Sequence, residues 1–180
     1  MSINPYFDLF EKLQKTLSSE DLLDIRKKLI WSYSWAIPNP EAIDLIAAYS
    51  PLIELGAGTG YWAWLIANAG AQVGAYDENP LAVPKWVDLQ KGTAQSVAVT
   101  AAKTLLLCWP PLNDPMASEA LANFRGPHCI YIGEWRGRTA DSLFHDLLDQ
   151  GFKRVQEILI PNWPGFLDRV FVYERASRAP

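Results

Sequence analysis

The chain is 180 residues long, 49% apolar, 12% aromatic and 20% charged, with a net charge of −4; this balance suits one domain with a sizeable core and excludes a disordered protein. Basic side chains number five, three and eight in residues 1–50, 51–115 and 116–180, against seven, five and eight acidic ones, so no segment carries the Lys and Arg excess that binding along a nucleic acid requires. No run nears the roughly eighteen consecutive apolar residues of a membrane span, and two Cys support neither a disulfide scaffold nor, by themselves, a zinc site.

The amino terminus, Met1-Ser2-Ile3-Asn4-Pro5-Tyr6, lacks the charged and then apolar sectors of a secretory leader, so the expected location is the cytoplasm. Residues 1–50 read as a helical extension. Tyr6, Leu9, Phe10, Leu13 and Leu17 share one helical face, and Ser18 or Ser19 caps a second helix carrying Leu22, Ile25, Leu29 and Tyr33. Pro40 opens a third, through Ala48.

From Pro51 to the end the pattern alternates. Strands are expected at Leu52–Leu55, Gln72–Asp77, loosely Trp86–Gln90, Thr104–Trp109 and Cys129–Gly133, with helices at Tyr61–Ala69, Met116–Phe124 and Thr139–Gln150. Two last strands, near Phe152–Leu159 and Gly165–Glu174, leave no room for a crossover helix and so pair antiparallel. The rest implies a parallel sheet with helices on both faces, an α/β Rossmann-like domain over residues 51–180. Cys108 ends one strand and Cys129 begins the next, too far apart to bridge; both are expected as core thiols.

The segment Glu54-Leu55-Gly56-Ala57-Gly58-Thr59-Gly60-Tyr61 carries the chemistry. A glycine turn between a buried strand and a helix lets backbone approach a ligand closely. Asp77 follows Gly56 by 21 positions, which places its carboxylate at the end of the neighbouring strand, where it can hold a ribose diol. The dinucleotide fingerprint needs a third glycine at position 61, which is Tyr61, and Glu54 would repel a pyrophosphate. A nicotinamide-dependent oxidoreductase is therefore disfavoured. A ribose with a cationic amino-acid end and no phosphate fits both features, and S-adenosylmethionine is such a ligand.

These residues resemble the class I S-adenosylmethionine-dependent methyltransferases, strongly over Leu52 to Asp77 and more loosely to about residue 174. The string through Trp35-Ala36-Ile37-Pro38, Cys108-Trp109-Pro110-Pro111 and Gly133-Glu134 looks like one subgroup of that family. The resemblance implies a seven-stranded sheet in the order 3-2-1-4-5-7-6 with strand seven antiparallel. It also implies that Gly56, Ala57, Gly58 and Gly60 line the methionine end of the cofactor and that Asp77 meets the ribose. Glu54, Tyr61, Thr93, Cys108 and Trp35 complete the expected cofactor-binding set, Thr93 (or Gln95) replacing the acid that many members place after the third strand. Trp35, between Tyr33 and Pro38, is read either as a clasp on the core or as a lid over the pocket.

The fourth-strand end departs from the family's amine-methylating signature, N/D-P-P-Y/F/W: here it is Trp109-Pro110-Pro111-Leu112, without an Asn or Asp acceptor or a following aromatic. Trp109 offers a flat wall and one donor. Glu134 is the candidate general base, its alternative being an ion pair with Arg136 or Arg138; Asn113, Asp114 and Tyr61 are weaker candidates. His128 stands at the wrong strand end, His145 lies mid-helix, and no metal site is expected. The expected function is methyl transfer to a small-molecule or peptidyl acceptor. A non-catalytic S-adenosylmethionine-binding or protein-interaction module is the alternative.

Overall fold

The computed structural model describes residues 3–80 and 83–176; Met1 and Ser2 of the amino-terminal stretch read above, and residues 177–180 of the carboxy-terminal segment, lie outside the described residues. Short apolar runs bounded by Gly and Pro form seven strands: β1 (Leu52–Leu55), β2 (Val73–Asp77), β3 (Gln90–Lys91), β4 (Thr104–Cys108), β5 (His128–Gly133), β6 (Phe152–Leu159) and β7 (Arg169–Arg175). They make one sheet in the order β3-β2-β1-β4-β5-β7-β6. Strands β1 to β5 pair in parallel, and β7 is antiparallel to both β5 and β6. That is the Rossmann-like order implied by the resemblance.

Six helices flank the sheet: α1 (Pro5–Leu13), α2 (Ser19–Ser32), α3 (Pro40–Ala47), α4 (Tyr61–Asn68), α5 (Met116–Asn123) and α6 (Ser142–Gly151). Asn4, Ser18, Asn39 and Asp141 each accept a backbone N–H of the first turn, satisfying donors that a helix start leaves orphaned. The strands' period of two assigns their side chains to two cores. Leu52, Leu106, Ile130, Ile132, Val170 and Val172 face one side with α4, and Tyr6, Phe10, Leu22, Ile37 and Ile43 from the first fifty residues join the same cluster. Ile53, Leu105, Leu107, Cys129, Tyr131 and Phe171 face the other side, under α5 and α6.

Several expected boundaries move for local reasons. The first helix ends at Leu13 rather than Leu17, the residues between continuing as turns. The sixth begins at Ser142 rather than Thr139, because the Thr139 hydroxyl is engaged by Tyr131 and Glu134 and Ala140 takes a φ of 62°. The third strand is Gln90–Lys91; Trp86 leaves the sheet and packs 4.7 Å from Trp64 and 5.7 Å from Tyr33. The last strand starts at Arg169, after a turn in which Gly165 has a φ of 79°. Cys108 and Cys129 are free, as their three-residue offset across β4 and β5 requires.

Candidate functional site

The carboxyl ends of β1, β2 and β4 open onto a cavity of about 350 Å³, the size of a small-molecule site and in the position where open parallel sheets bind ligands. Its glycine-rich wall follows from backbone conformation. Gly56, Gly58 and Gly60 have φ values of 72°, 58° and 77°, in the left-handed region where a side chain is strained. At Gly58 a Cβ would meet nothing within 4 Å, so the backbone there borders open space. At Gly60 it would meet Val87 Cγ2 at 2.5 Å, so that glycine serves close packing beneath the loop.

Two carboxylates are organised around this loop. Asp77 at the end of β2 accepts the Gly58 N–H at 2.9 Å through Oδ2 and the Asn79 N–H at 2.9 Å through Oδ1. Helix α4 has Gly60 at its N-cap and so lacks a capping side chain; Glu54, reaching across from β1, accepts the Ala63 N–H at 3.1 Å instead. Glu54 is 1% exposed, and burial pushes its carboxyl up to about 8, against the lowering effect of the Ala63 bond. At neutral pH it therefore holds a proton, whereas its place in the sequence suggests a carboxylate; a neighbouring cation favours the charged form.

The opposite wall is aromatic. The chain leaves β4 at Trp109 with a φ of 53°, a conformation that bulky residues keep only where their surroundings hold it. Its N–H donates to the Ile132 carbonyl at 2.8 Å and its Nε1 to Asp168 Oδ1 at 2.8 Å. Trp35 stacks on it, centroids 5.0 Å apart and planes within 16°. The strap bearing Trp35 is fastened upstream: Tyr33 stacks on Tyr6 at 4.7 Å, its carbonyl accepts the Thr59 hydroxyl, and the Ser32 carbonyl accepts Trp86 Nε1 at 2.7 Å. Tyr33 thus carries the contacts that fasten the strap, and Trp35, 38% exposed, is among the residues lining the cavity.

The structure brings Trp35, Glu54, Gly56, Ala57, Gly58, Asp77, Thr93, Cys108 and Trp109 to one cavity, with Asp114 on its rim. Thr93 donates its hydroxyl to Gln95 at 2.7 Å, and burial raises the Cys108 thiol well above its ordinary value. Four expected residues stand elsewhere. Gly60 underlies Val87. Tyr61 is fully buried, donating its hydroxyl to Asn4 at 2.8 Å and accepting the Tyr6 N–H at 3.0 Å. Glu134 is a buried brace that accepts the N–H groups of Leu167 at 2.9 Å and Arg138 at 3.3 Å and pairs with the Arg138 guanidinium at 3.6 Å. Asn113, exposed, does not line the cavity, and its backbone N–H donates to the Ala140 carbonyl at 3.2 Å.

Three participants were not anticipated from sequence. Trp62 lines the cavity with a buried Nε1–H that has no partner among the described residues. Asp168, 2% exposed, positions Trp109; nothing in the local sequence marks it. Arg26 packs against Trp35 and Trp109 at 5.2 and 5.5 Å, and its signal was available as a charge four positions from Leu22 and from Ile30 on the buried stripe of α2.

The chemistry of the lining tests what the cavity suits. Among the described residues, four acidic side chains (Glu54, Asp77, Glu78 and Asp114) and no Lys or Arg line it; Lys85 donates to the Gly58 carbonyl at 3.3 Å without lining it. Even with Glu54 protonated, the other three carboxyl groups of that set make the lining unfavourable for a pyrophosphate and suit a cationic nucleoside. Among the described residues no cluster could hold a metal ion and no helix is long and apolar enough to cross a membrane.

No protein-family model and no curated protein sequence matches this chain. Solved structures do share its fold. Human N-acetylserotonin methyltransferase, in complex with S-adenosylmethionine, aligns with a TM-score of 0.52 and 17% identity over 98% of this chain and 64% of its own. Mitomycin 7-O-methyltransferase aligns at 0.50 and 14% over 74% and 53%. A protein described with the conversion of a disulfide bond into a thioacetal group during echinomycin biosynthesis aligns at 0.51 and 12% over 79% and 84%. The chain has the Rossmann-like fold of the class I S-adenosylmethionine-dependent methyltransferases.

Proposed function

We propose that the protein binds S-adenosylmethionine in the cavity at the glycine loop and transfers its methyl group to a small-molecule or peptidyl acceptor lying toward Trp109. The observation that carries this reading is that the ionisable carboxyl side chains lining the cavity have no basic side chain beside them, next to a loop to which Asp77 is already hydrogen-bonded. Asp77 holds the ribose diol, Glu54 stands by the cationic end, and the glycine backbone with the orphan Nε1–H of Trp62 offers donors to the amino-acid carboxylate. Thr93, with Gly92 and Ala94, borders the adenine side.

The bound cofactor supplies an activated methyl group on a sulfonium. The chain's own residues need only orient the acceptor and exclude water, since the departing thioether keeps the bonding electron pair. Trp35 and Trp109 form the water-excluding wall on the acceptor side. With Glu134 engaged as a brace, Asp114 on the cavity rim is the candidate to take an acceptor proton, although its Oδ1 already accepts the Met116 N–H at 2.9 Å. That engagement favours acceptors that need little base assistance. It is also what favours the second reading, a module that binds S-adenosylmethionine without turnover.

Calorimetry with S-adenosylmethionine tests the binding, and no heat at about millimolar ligand, where an affinity of only about −4 kcal/mol would still register, excludes both readings. Formation of S-adenosylhomocysteine with any acceptor then separates the enzyme from the module.

A further inference from the structure

Behind the Trp35–Trp109 stack lies a second, more open cleft of about 510 Å³, bordered by Arg26, Lys27, Arg138, Pro164 and Phe166. Arg26 is the feature that needs explaining. Its residue is 9% exposed, and its Nε and Nη2 are buried with no hydrogen-bond partner among the described residues. A guanidinium carries five donors, and leaving them unmet in a buried position is unfavourable. Burial lowers its pKa, while the nearby charge of Asp168 opposes that shift. Asp168 accepts Trp109 Nε1 through Oδ1 and makes no hydrogen bond to Arg26 Nε or Nη2.

Arg26 also has company. It lies over the Phe166 ring at 4.1 Å, and Arg138 lies over the same ring at 4.6 Å. Two cations therefore share one aromatic ring at the edge of the cleft. Lys27 is neutralised by Asp24 at 2.7 Å, Arg138 is partly paired with Glu134 at 3.6 Å, and Glu20 stands on the rim. The cation left without a partner is Arg26. The apolar walls beside it are the Phe166 ring, Pro164 and Leu23.

We infer that this cleft binds a carboxylate carried on a small apolar body, the carboxylate engaging the orphan guanidinium of Arg26 with Arg138 assisting. A planar carboxylate matches the guanidinium fork, and the apolar body suits the Phe166 and Pro164 walls. Arg26 packs on the rings of Trp35 and Trp109, which line the first cavity, so the two clefts meet across that stack. The ligand's role as the methyl acceptor rests on the function proposed above; its binding does not.

The test is calorimetric titration of the full chain with benzoate, with benzamide and inorganic phosphate as comparators, in the absence of S-adenosylmethionine. Benzoate is expected to saturate, and benzamide and phosphate to bind at least about tenfold more weakly, because each lacks one of the two recognised features. Arg26→Met is expected to weaken benzoate by roughly ten- to a hundredfold, the range for a hydrogen bond to a charged group. Arg138→Met, at a side chain 53% exposed, is expected to weaken it less, and it decides the matter if the Arg26 variant does not fold. Three results overturn the inference: no saturation by benzoate, equal binding of phosphate or benzamide, or benzoate affinity unchanged in the folded variants. Titrating the same preparation with S-adenosylmethionine keeps the two readings distinct, since either ligand can bind when the other fails.

Discussion

The two ends of the main cavity sit on the same edge of the sheet and are built by opposite means. The glycine-loop end is made from a contiguous stretch, Glu54 to Gly60, plus Asp77 one strand away, and its polar contacts are largely backbone N–H groups on carboxylates. The tryptophan end is assembled from side chains scattered from Arg26 to Asp168, and its contacts are ring on ring and cation on ring. One end is acidic and awaits a cation; the other includes an unpaired cation. The first end depends on local conformation, which a short sequence can dictate alone. The second depends on the whole tertiary structure being in place, so substitutions at the two ends should fail in different ways.

The largest expected effect is at the local end. Replacing Asp77 by Ala removes the proposed ribose acceptor together with the carboxylate that orders Gly58 and Asn79. Affinity for S-adenosylmethionine in calorimetry should fall by about a hundredfold, in the range set by losing charged hydrogen bonds. A loss of less than about threefold would mean that the ribose lies elsewhere, since truncating one charged hydrogen bond should exceed that.

Glu54 tests the same end through pH. Its carboxyl holds its proton up to about 8 in the folded chain, against 4.5 as its ordinary value. Between those limits the unfolded chain has released a proton that the folded chain keeps. Stability should therefore fall with rising pH by roughly 1 kcal/mol per unit and level off above the upper limit. Urea melts of Glu54→Gln should lack that slope, because an amide oxygen can still accept the Ala63 N–H without titrating. S-adenosylmethionine affinity of the unaltered chain should rise over the same interval as the ionised carboxylate becomes available, and stay flat in Glu54→Gln.

What could be read from sequence divides along the same line. The runs forming β1 and β2, the glycine turn and the placement of Asp77 are set within thirty or so neighbouring residues by periodicity and turn chemistry. Trp86 misled because its β-forming ring is claimed by Tyr33 and Trp64, long-range partners that outweigh local preference. Tyr61 stands beside the motif, but the first residue of α4 turns its ring inward to Tyr6 and Asn4. Glu134 has the right residue type at the right strand end, yet two backbone N–H groups across the 134–139 and 162–168 turns take its oxygens. Asp168 left no trace in sequence because its function is defined by a partner on β4's far end.

Trp35 probes the aromatic end at moderate cost to the fold. Its ring stacks on Trp109 and lines the cavity, whereas Tyr33 carries the anchoring contacts of the strap. Trp35→Ala should weaken S-adenosylmethionine by about tenfold while changing unfolding free energy by less than about 1 kcal/mol. Equal losses in both would make Trp35 part of the clasp and remove the division of labour along the strap.

The smallest effect is expected at Asp168, and it separates charge from geometry at the tryptophan end. Burial raises its carboxyl to about 6, the Trp109 hydrogen bond opposing that rise, against an ordinary value of 3.8. Folding is thus favoured on the acid side of that interval, and the contribution is lost as pH climbs from near 4 to near 6. Asp168→Asn keeps an oxygen for Trp109 Nε1 and abolishes this titration, so its stability should match the parent within about 1 kcal/mol near pH 4, exceed it above pH 6, and lack the decline that Asp168 contributes between those limits while keeping the slope of Glu54. Trp109 fluorescence should keep its position if the hydrogen bond alone holds the ring, and a shift would assign the carboxylate's charge a part in fixing the strained backbone there.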